Sequence, residues 1–216
     1  GTEVYLSWHT NASRGTTRGL LTFVYSGVAW QALNEDNFAG YPGGDDFGVA
    51  VHNGIIDLVQ EEWSPQWRDG GVIAWWLGET NPRNNAKMPM ALPEVGFHDN
   101  PEDAKYILDP RFRDLASRGT YHGMVEYYTN HVDGFTNTTL LPAPPQNFRI
   151  QAGNGEVVLS WDEPRSEEGA RRFGDPATGY RVYRSVNGHG FDNGFAWDGT
   201  SITLPAPPAG TPGYYR

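Results

Sequence analysis

A chain of 216 residues with 38% hydrophobic and 13% aromatic side chains is long enough for one large domain or two small ones. Its 16 basic residues against 26 acidic ones give a formal net charge of −10, which argues against binding to a nucleic-acid backbone. The absence of cysteine excludes disulfide bonds and thiolate ligands, so a metal would be held by histidine and carboxylate groups. No apolar run reaches the roughly 18 residues that a membrane-spanning helix needs.

The first half of the chain alternates predicted strands with a predicted helix. Runs of apolar side chains predict strands at Val4–Trp8, Leu20–Tyr25, 70–78 and 88–97. Two prolines within the last of these, "MPMALPEVGF", predict an edge strand or irregular strand ends. Between the second and third strands, Asp45–Trp63 has apolar residues at helical spacing and begins with two acidic residues, which suit the positive end of a helix.

A second helical region has clear boundary signals. Asn100 is a good N-cap, Pro101 suits the first helical position, and two acidic residues follow in the first turn. We predict a helix from Pro101 to about Tyr128, with a break near Asp109–Pro110. Strands that alternate with helices predict an α/β fold in which an open sheet is flanked by helices.

The pattern changes after residue 130. The segment "HVDGFTNTTLLPAPPQN" lacks periodicity and is rich in Pro, Thr and Asn, so we predict a linker over residues 131–141. Residues 142–216 contain short alternating strands separated by turns, as is typical of a small all-β sandwich. The sequence therefore predicts two domains, 1–130 and 142–216. It gives no oligomeric state.

Two residues of chemical interest lie at the ends of predicted strands. His9 comes at the end of the first strand and Glu94 at the end of the fourth, 85 positions later in the sequence. Because ligands of open α/β sheets bind outside the carboxyl ends of the strands, we expect both side chains at one edge of the sheet. Spacing alone leaves open a structural interpretation, in which His9 caps a turn and Glu94 pairs with an arginine.

The other histidines and four of the tryptophans give weaker signals. We expect His52 at the surface or half buried, and His98 as a turn residue near Glu94 that could touch a substrate. His122 and His131, in the terminal helix and the linker, have no expected role. The tryptophans could stack on sugar rings, although aromatic residues at strand and helix positions are more often core. They are Trp63, Trp67, Trp75 and Trp76.

Two segments carry a resemblance to a known family. "YLSWHTNAS" and "MPMALPEVGFHDNPEDAKYIL" resemble the motifs of the zinc-dependent N-acetylmuramoyl-L-alanine amidases, the amidase-3 family. Between and after them, "RGLLTFVY" resembles the strand that follows the histidine loop, and "DPRFRDLASRGTYHGMVEYY" resembles the closing helix. The resemblance covers about residues 3–130. It implies that this region is the C-terminal part of an amidase catalytic domain.

The resemblance also implies a metal site. In that family zinc is held by a histidine, a glutamate and a second histidine, in chain order. His9 matches the second histidine, which implies that the other two ligands lie upstream of Gly1. Glu94 matches the catalytic glutamate. We therefore expect Zn²⁺ as the cofactor, and we expect residues 1–216 alone to bind zinc poorly and to lack amidase activity.

The implied chemistry suits these residue types. An amide is a poor electrophile, so its hydrolysis needs an activated water, a polarised carbonyl and a protonated leaving amine. Zinc lowers the pKa of bound water from about 15.7 toward ~7 and polarises the carbonyl. A carboxylate within hydrogen-bond reach can take the water proton and pass it to the leaving nitrogen, which typically contributes about 10²–10⁴-fold. The resemblance implies this role for Glu94 in cutting the amide between N-acetylmuramic acid and the L-alanine of the peptidoglycan stem peptide.

The C-terminal region resembles a second family. "LPAPPQNFRIQAGNGEVVLSWDEP" and "ATGYRVYRS" resemble a fibronectin type III module. Trp161 would be the core tryptophan of its second strand, and Tyr180 and Tyr183 would lie on the third. "GYYR" would begin the sixth strand, so the resemblance implies an incomplete sandwich at Arg216. The insertion "RSEEGARRFGDPA" would lengthen one loop.

The leading interpretation is a peptidoglycan amidase that is secreted, periplasmic or on the bacterial cell surface. The alternative is a catalytically inactive cell-wall-binding or adhesion protein that keeps the amidase fold. Trp8 and Pro93, which replace aliphatic residues of the family pattern, leave that alternative open. A zinc carboxypeptidase or aminopeptidase is disfavoured because "EVGFHDNPED" belongs to the amidase pattern.

Overall fold

The computed structural model describes residues 3–28, 30–85, 87–166 and 174–216. Residue contacts divide the chain into two compact units, residues 1–138 and residues 139–216. Each unit has its own cluster of buried apolar side chains. More than half of the insertion predicted at 165–177 lies outside the described residues.

The first unit forms one mixed β-sheet with helices packed against it. Its elements are β1 (Tyr5–Leu6), β2 (His9–Asn11), β3 (Leu20–Tyr25), β4 (Gln31–Ala32), α1 (Gly44–Glu62), β5 (Asp69–Trp75), β6 (Met90–Phe97), α2 (Pro101–Leu108) and α3 (Pro110–His131). The strands lie in the order β1-β6-β3-β5-β4, and β2 also pairs with β6. The pairs of β6 with β1 and β2 and of β3 with β5 are parallel, whereas β3–β6 and β4–β5 are antiparallel. This architecture confirms the predicted α/β class.

Helices α1 and α3 pack against each other, and α1 covers one face of the sheet. The helical spacing of apolar residues in α1 brings Phe47, Val51 and Ile55 into a core that also contains Leu20 and Val95 of the sheet. Burial of these side chains is the main source of stability for such a layer.

The close approach of α1 and α3 depends on glycine. A Cβ atom on Gly119 would lie 2.5 Å from the carbonyl oxygen of Gly54, and one on Gly123 would lie 2.3 Å from the carbonyl oxygen of Ala50. The two helices therefore touch through their backbones, which leaves no room for a side chain at these positions.

The opposite face of the sheet carries a smaller buried cluster. We call it the second face, and it comprises Leu21, Phe23, Ile73, Leu92 and Phe97. Side chains alternate between the two faces along a strand, so Leu21, Phe23 and Leu92 lie opposite to the residues that contact α1. Phe97 joins them because the register of β6 shifts at its end, where Gly96 has a φ of 84°.

Of the two alternatives that the prolines predicted, the edge strand is wrong, because β6 lies between β3 on one side and β1 and β2 on the other. The irregular strand end is present, since the register of β6 with β2 shifts between Glu94 and Phe97. The Ser7 N–H donates to the Ala91 carbonyl at 3.0 Å, and the Gly96 N–H donates to the Gly19 carbonyl at 3.1 Å. Backbone groups of successive residues point to alternate sides of a strand, so Pro93 has its missing N–H on the side of β1 and β2.

The same proline accounts for a second difference. The strand predicted at Val4–Trp8 is two short strands, β1 and β2, with a gap at residues 7 and 8. Leu6 lies opposite Ala91 and His9 opposite Glu94, so the register along β6 is the same on both sides of the gap, and it shifts only beyond His9, where Asn11 lies opposite Phe97. The gap falls where Pro93 cannot donate a hydrogen bond, so the predicted strand is interrupted rather than misplaced.

Helix α2 begins at the predicted residue. The Asn100 side chain accepts hydrogen bonds from the backbone N–H groups of Glu102 at 3.0 Å and Asp103 at 3.4 Å. The break predicted at Asp109–Pro110 separates α2 from α3. Helix α3 extends to His131, so this residue belongs to the helix and not to the linker. No helix in the described ranges is long and apolar enough to cross a lipid bilayer.

The second unit consists of short strands around one cluster of buried side chains. Its strands are β7 (Gln146–Gly153), β8 (Glu156–Asp162), β9 (Tyr180–Val182), β10 (Arg184–Ser185), β11 (Phe195–Trp197), β12 (Ser201–Pro205) and β13 (Tyr214–Tyr215). They pair as β12-β8-β7, β11-β9 and β10-β13. Trp161 is buried on β8 together with Leu159, Val182 and Ile202, which agrees with its predicted place in the core. The assignment to a fibronectin type III module stays a prediction.

Candidate functional site

The structure brings the two predicted site residues together. His9 on β2 lies directly opposite Glu94 on β6 in a parallel pair of strands. Residues opposite each other on neighbouring strands point to the same face and lie within contact range. Glu94 is three residues before the end of β6 rather than at its end, because β6 continues to Phe97.

Glu94 belongs to the second face of the sheet. Leu92, two residues before it, is part of the second-face cluster, whereas Val95 packs in the core of α1 and α3. The period of two in a strand therefore directs the carboxylate away from α1. Leu21 of β3 is its partner on the other side, so β6 is held by strands on both sides at this residue.

The carboxylate of Glu94 is in an unusual electrostatic environment. It is half buried, and its Oε2 atom has no hydrogen-bond partner among the described residues. Burial raises the pKa of Glu94, and the nearby charge of Glu79 raises it further. The neighbouring His9 and His98 oppose that change. A carboxyl group with a raised pKa and an unpartnered oxygen is suited to exchanging a proton with a ligand.

His9 is exposed, and its ring is oriented by one neighbour. The Ser7 hydroxyl lies 3.0 Å from Nε2 of His9, which leaves Nδ1 as the other ring nitrogen. A histidine in a metal site uses one ring nitrogen for the metal while the other makes a hydrogen bond that fixes the ring. The Ser7–His9 pair has this arrangement.

His98 lies in the turn after β6, as predicted, and is tied to the strand that carries His9. Its Nδ1 atom lies 3.1 Å from the Thr10 hydroxyl, and its backbone N–H donates to the Asn11 carbonyl at 2.9 Å. The electrostatic effect of His98 on Glu94 puts the imidazole in the surroundings of the carboxylate.

Two aspartates that the sequence analysis did not assign to the site fix the loop after β2. Asp99 accepts hydrogen bonds from the backbone N–H groups of Ser13 at 2.8 Å and Gly15 at 2.9 Å. Asp103, wholly buried, accepts from the backbone N–H of Gly19 at 2.8 Å. The sequence pattern presented Asp103 only as an acidic residue in the first turn of a helix, and nothing local indicated its second role.

The remaining histidines lie outside the site. The expectation that His52 is at the surface or half buried is wrong, because it is 2% exposed. Its Nδ1 lies 3.0 Å from the Thr22 hydroxyl and its Nε2 lies 2.9 Å from Asp69. These two partners compensate for its burial. His122 is buried on α3, and His131 lies 3.3 Å from Asp46.

The tryptophans divide between the core and the second face. Trp67 is buried and packs edge-on against Phe112 at 5.2 Å, and Trp63 packs against the same ring at 5.6 Å. Trp75 lies on the second face, and Trp76 is exposed. The pair at 63 and 67 is therefore core.

A complete zinc centre is not formed within the described ranges, which contain no group of three or more histidine, aspartate or glutamate side chains close enough to hold a metal ion. His9 fits a zinc ligand by its chemistry and by the orientation that Ser7 gives it, but a protein zinc site needs three or four ligands. The residues present therefore fit a part of such a site and not the whole.

The fold and the site define an α/β domain with a paired histidine and glutamate on one face of a mixed sheet. The family model described as N-acetylmuramoyl-L-alanine amidase (amidase-3) matches residues 1–126, which is more than half of the chain. The chain therefore belongs to this amidase family.

The chain is also similar to individual proteins. An uncharacterized cell wall amidase of Bacillus anthracis is 26% identical over 129 residues, which are 58% of this chain and 21% of the relative. Among solved structures, an N-acetylmuramoyl-L-alanine amidase of Clostridium difficile 630 has a TM-score of 0.45 and 22% identity over 60% of this chain and 59% of that chain. The catalytic domain of the amidase CwlV from Bacillus (Paenibacillus) polymyxa var. colistinus has a TM-score of 0.44 and 20% identity over 59% of this chain and 58% of that chain. This chain thus spans about a fifth of the curated relative.

Proposed function

We propose that the first unit is the part of a peptidoglycan amidase that carries its acid–base residue and one of its metal ligands. The reaction is hydrolysis of the amide between the lactyl group of N-acetylmuramic acid and the L-alanine of the stem peptide. The observation that supports it best is the half-buried carboxylate of Glu94, unpartnered at Oε2 and in register with His9.

Glu94 acts first as a base and then as an acid. It takes a proton from the attacking water as the water oxygen adds to the amide carbonyl, and it passes that proton to the leaving nitrogen as the C–N bond breaks. The same carboxyl group must bind and release the proton within one turnover, so a raised pKa helps it to hold the proton between the two steps. The second face excludes water from one oxygen of the group, which keeps the pKa raised.

We propose His9 as one ligand of a catalytic zinc ion, held through the ring nitrogen that Ser7 leaves open. When bound, zinc would supply an activated water and a polarised carbonyl. The described residues do not supply the other ligands. We therefore expect residues 1–216 to bind zinc weakly in a titration followed by equilibrium dialysis. Tight uptake of one zinc per chain would contradict the assignment of His9 as the single ligand of this chain. The proposal needs a histidine and a glutamate from outside the described residues to complete the site, and the sequence of the source gene tests this point.

The role of Glu94 is tested by substitution in the protein that the source gene encodes, including any codons upstream of Gly1. Glu94→Gln keeps the size of the side chain but cannot accept the proton, and we expect a fall of about 10²–10⁴-fold in the release of peptides with L-alanine at their N-terminus. Glu79→Gln is the matched control, since Glu79 is exposed and acts on Glu94 only through its charge. We expect it to keep the rate within about tenfold. A near-normal rate for Glu94→Gln at unchanged zinc content would refute the proposed role.

The second candidate is a wall-binding protein that has lost the reaction. Trp8 and Pro93, which replace aliphatic residues of the family pattern beside His9 and Glu94, favour it. The two candidates differ in one assay, because a binder sediments with purified peptidoglycan without releasing peptides. If the upstream codons specify residues that cannot bind metal, the binder is the better description.

We propose a location outside the cytoplasm, in the periplasm, in the cell wall or secreted, because the substrate lies there. The Bacillus anthracis relative, which is named as a cell wall amidase, supports this. We further propose that the second unit is a fibronectin type III-like spacer. Its buried Trp161 and the pairing order β12-β8-β7 support that assignment. A solution structure of residues 139–216 with a different strand order would contradict it.

A further inference from the structure

Three aromatic rings form an exposed cluster on the second face of the sheet. Trp30 packs edge-on against Phe23 with ring centres 5.2 Å apart, and its ring centre lies 5.4 Å from that of Trp75. Phe23 and Trp75 contact each other at 5.7 Å. Phe23 is buried, but Trp30 is 49% exposed. We call these three residues the aromatic platform.

The cluster is more than a part of the core. A tryptophan that belongs only to a core buries most of its surface. Trp30 packs on two aromatic rings, yet about half of its surface faces solvent. The support of Phe23 and Trp75 holds the exposed ring in one orientation, so little conformational entropy is lost when a ligand packs on it.

The aromatic platform lies on the same face as Glu94. In the pairing of β3 with β6, Leu21 is opposite Glu94 and Phe23 is opposite Leu92. With a rise of about 3.4 Å per residue and a strand spacing of about 4.8 Å, the Cα atom of Phe23 lies about 8 Å from that of Glu94. A short oligosaccharide is therefore long enough to reach from the aromatic platform to the carboxylate of Glu94.

The segment of sequence that carries Trp30 is uncharged and contains hydrogen-bonding side chains. The sequence from Tyr25 to Asn34, "YSGVAWQALN", contains no charged residue, although the chain carries a net charge of −10. Gln31, next to Trp30, is exposed and offers both amide donors and a carbonyl acceptor. An acidic peptide gains nothing from such a surface. A neutral pyranose ring does, because its face of C–H bonds suits the negative face of an aromatic ring and its hydroxyl and N-acetyl groups suit an amide.

We propose that the aromatic platform binds a neutral N-acetylated sugar ring of a glycan strand, with the ring stacked on Trp30. The glycan strand then lies across the second face of the sheet, and the peptide that branches from it is directed to Glu94. The second part of this statement rests on the proposed amidase function, whereas sugar binding at Trp30 does not.

The experiment measures binding of the N-acetylglucosamine tetramer, which has the sugar chemistry and no peptide. The full chain is titrated with the tetramer, and the indole N–H signals of its tryptophans are followed by NMR. We expect the Trp30 signal to move in a saturable way. Trp30→Ala should weaken binding about tenfold, the ratio that corresponds to ~1.4 kcal/mol of lost stacking.

Trp76 provides the matched control. It is 66% exposed and lies next to Trp75, but it makes no ring contact with the platform in the described part of the chain. Trp76→Ala should therefore change the dissociation constant by less than about twofold. Equal losses for the two variants, or no saturable movement of the Trp30 signal in the unsubstituted chain, would overturn the proposal. If Trp30→Ala does not fold, the Trp30 signal of the unsubstituted chain decides alone.

The result separates this inference from the proposed function. If the sugar binds at Trp30 but the protein that the source gene encodes releases no peptides, the proposed amidase function is refuted and the proposed sugar site is supported. If peptides are released but the sugar does not bind, the amidase function is supported and the proposed sugar site is refuted. A stem peptide without sugar that moves the Trp30 signal more than the tetramer does would overturn the assignment of the platform to the glycan.

Discussion

Asp103 should be the most costly single residue to remove near the candidate site, because it is buried and accepts three hydrogen bonds. One carboxylate oxygen accepts from the backbone N–H groups of Gly19 at 2.8 Å and Phe97 at 3.0 Å, and the other accepts from Nε of Arg18 at 3.1 Å. The side chain is 0% exposed, so water cannot replace it. Asp103→Ala leaves two buried N–H donors without an acceptor, at about 1–3 kcal/mol each. We expect a loss of about 3–5 kcal/mol in the free energy of unfolding of the first unit.

Asp103→Asn measures the contribution of the hydrogen bonds without that of the negative charge. Its amide oxygen can still accept from Gly19 and Phe97, but its NH₂ group then faces Arg18, which loses the carboxylate and keeps its side-chain hydrogen bond with Tyr106. Arg18 is about a third exposed and can turn to solvent, so we expect a smaller loss of about 1–2 kcal/mol.

Asp99→Ala is the control for burial. Asp99 also accepts from two backbone N–H groups of the same loop, those of Ser13 and Gly15, but in an exposed position. Water can take over both bonds, so we expect a loss under about 1 kcal/mol. Unfolding in urea is followed by hydrogen exchange at amides of α1 and β3, so that the transition of the second unit does not enter. If Asp99→Ala costs as much as Asp103→Ala, burial does not set the cost and the reasoning is refuted.

Two further predictions concern the core. Gly119→Ala should lower the free energy of unfolding of the first unit by about 2 kcal/mol, because its Cβ would lie 2.5 Å from the Gly54 carbonyl oxygen. Gly27→Ala is the control, since a Cβ there would have nothing within 4 Å, and it should change the free energy of unfolding by less than about 0.5 kcal/mol in the same urea assay. Burial lowers the pKa of His52 below its ordinary value of 6.5, so the unfolded chain binds a proton that the folded chain does not, and stability falls as the pH drops below about 6.5. His52→Gln should flatten this slope in thermal unfolding between about pH 5 and pH 7, and an unchanged slope would show that other groups cause it.

The sequence predicted those elements whose signals are local. The start of α2 was predictable because an N-cap acts on the next turn of the same segment, and Asn100 indeed accepts from Glu102 and Asp103. The strand at Leu20–Tyr25 was predictable because its apolar run is buried on both faces and ends at polar residues and glycines. Such signals require no knowledge of what packs against the segment.

The sequence failed where the deciding partner is far away in the chain. The two prolines of β6 indicated an edge strand or irregular ends by a rule that concerns one strand at a time, and the edge position is wrong because the missing donor of Pro93 falls at the gap between two partners of β6. His52 was expected at or near the surface because its helix gave no reason to bury it. Its burial depends on Thr22 and Asp69, which lie on two different strands.

The candidate site shows both situations. The motifs around His9 and Glu94 carried the family resemblance, so the pair could be predicted although 85 positions separate the two residues. The role of Asp103 could not be predicted, because its donors Gly19 and Phe97 are recognised only once the loop is folded against β6. The aromatic platform could not be predicted either, since Trp30 lies in a segment without periodicity and meets its neighbours only in the sheet.

The sheet holds Glu94 more rigidly than it holds His9, and this difference suits the proposed enzyme. Glu94 lies on an interior strand that β3 and β2 both flank, whereas His9 lies on an exposed strand of three residues at the end of that ladder. An acid–base residue must stay within hydrogen-bond reach of the scissile group, and a central strand provides that order of precision. A ligand residue on a short strand can be drawn into place by the metal it binds. In the proposed enzyme, the sheet would therefore hold Glu94, the acid–base residue, in a fixed position and would leave His9, the metal ligand, free to adjust to the metal.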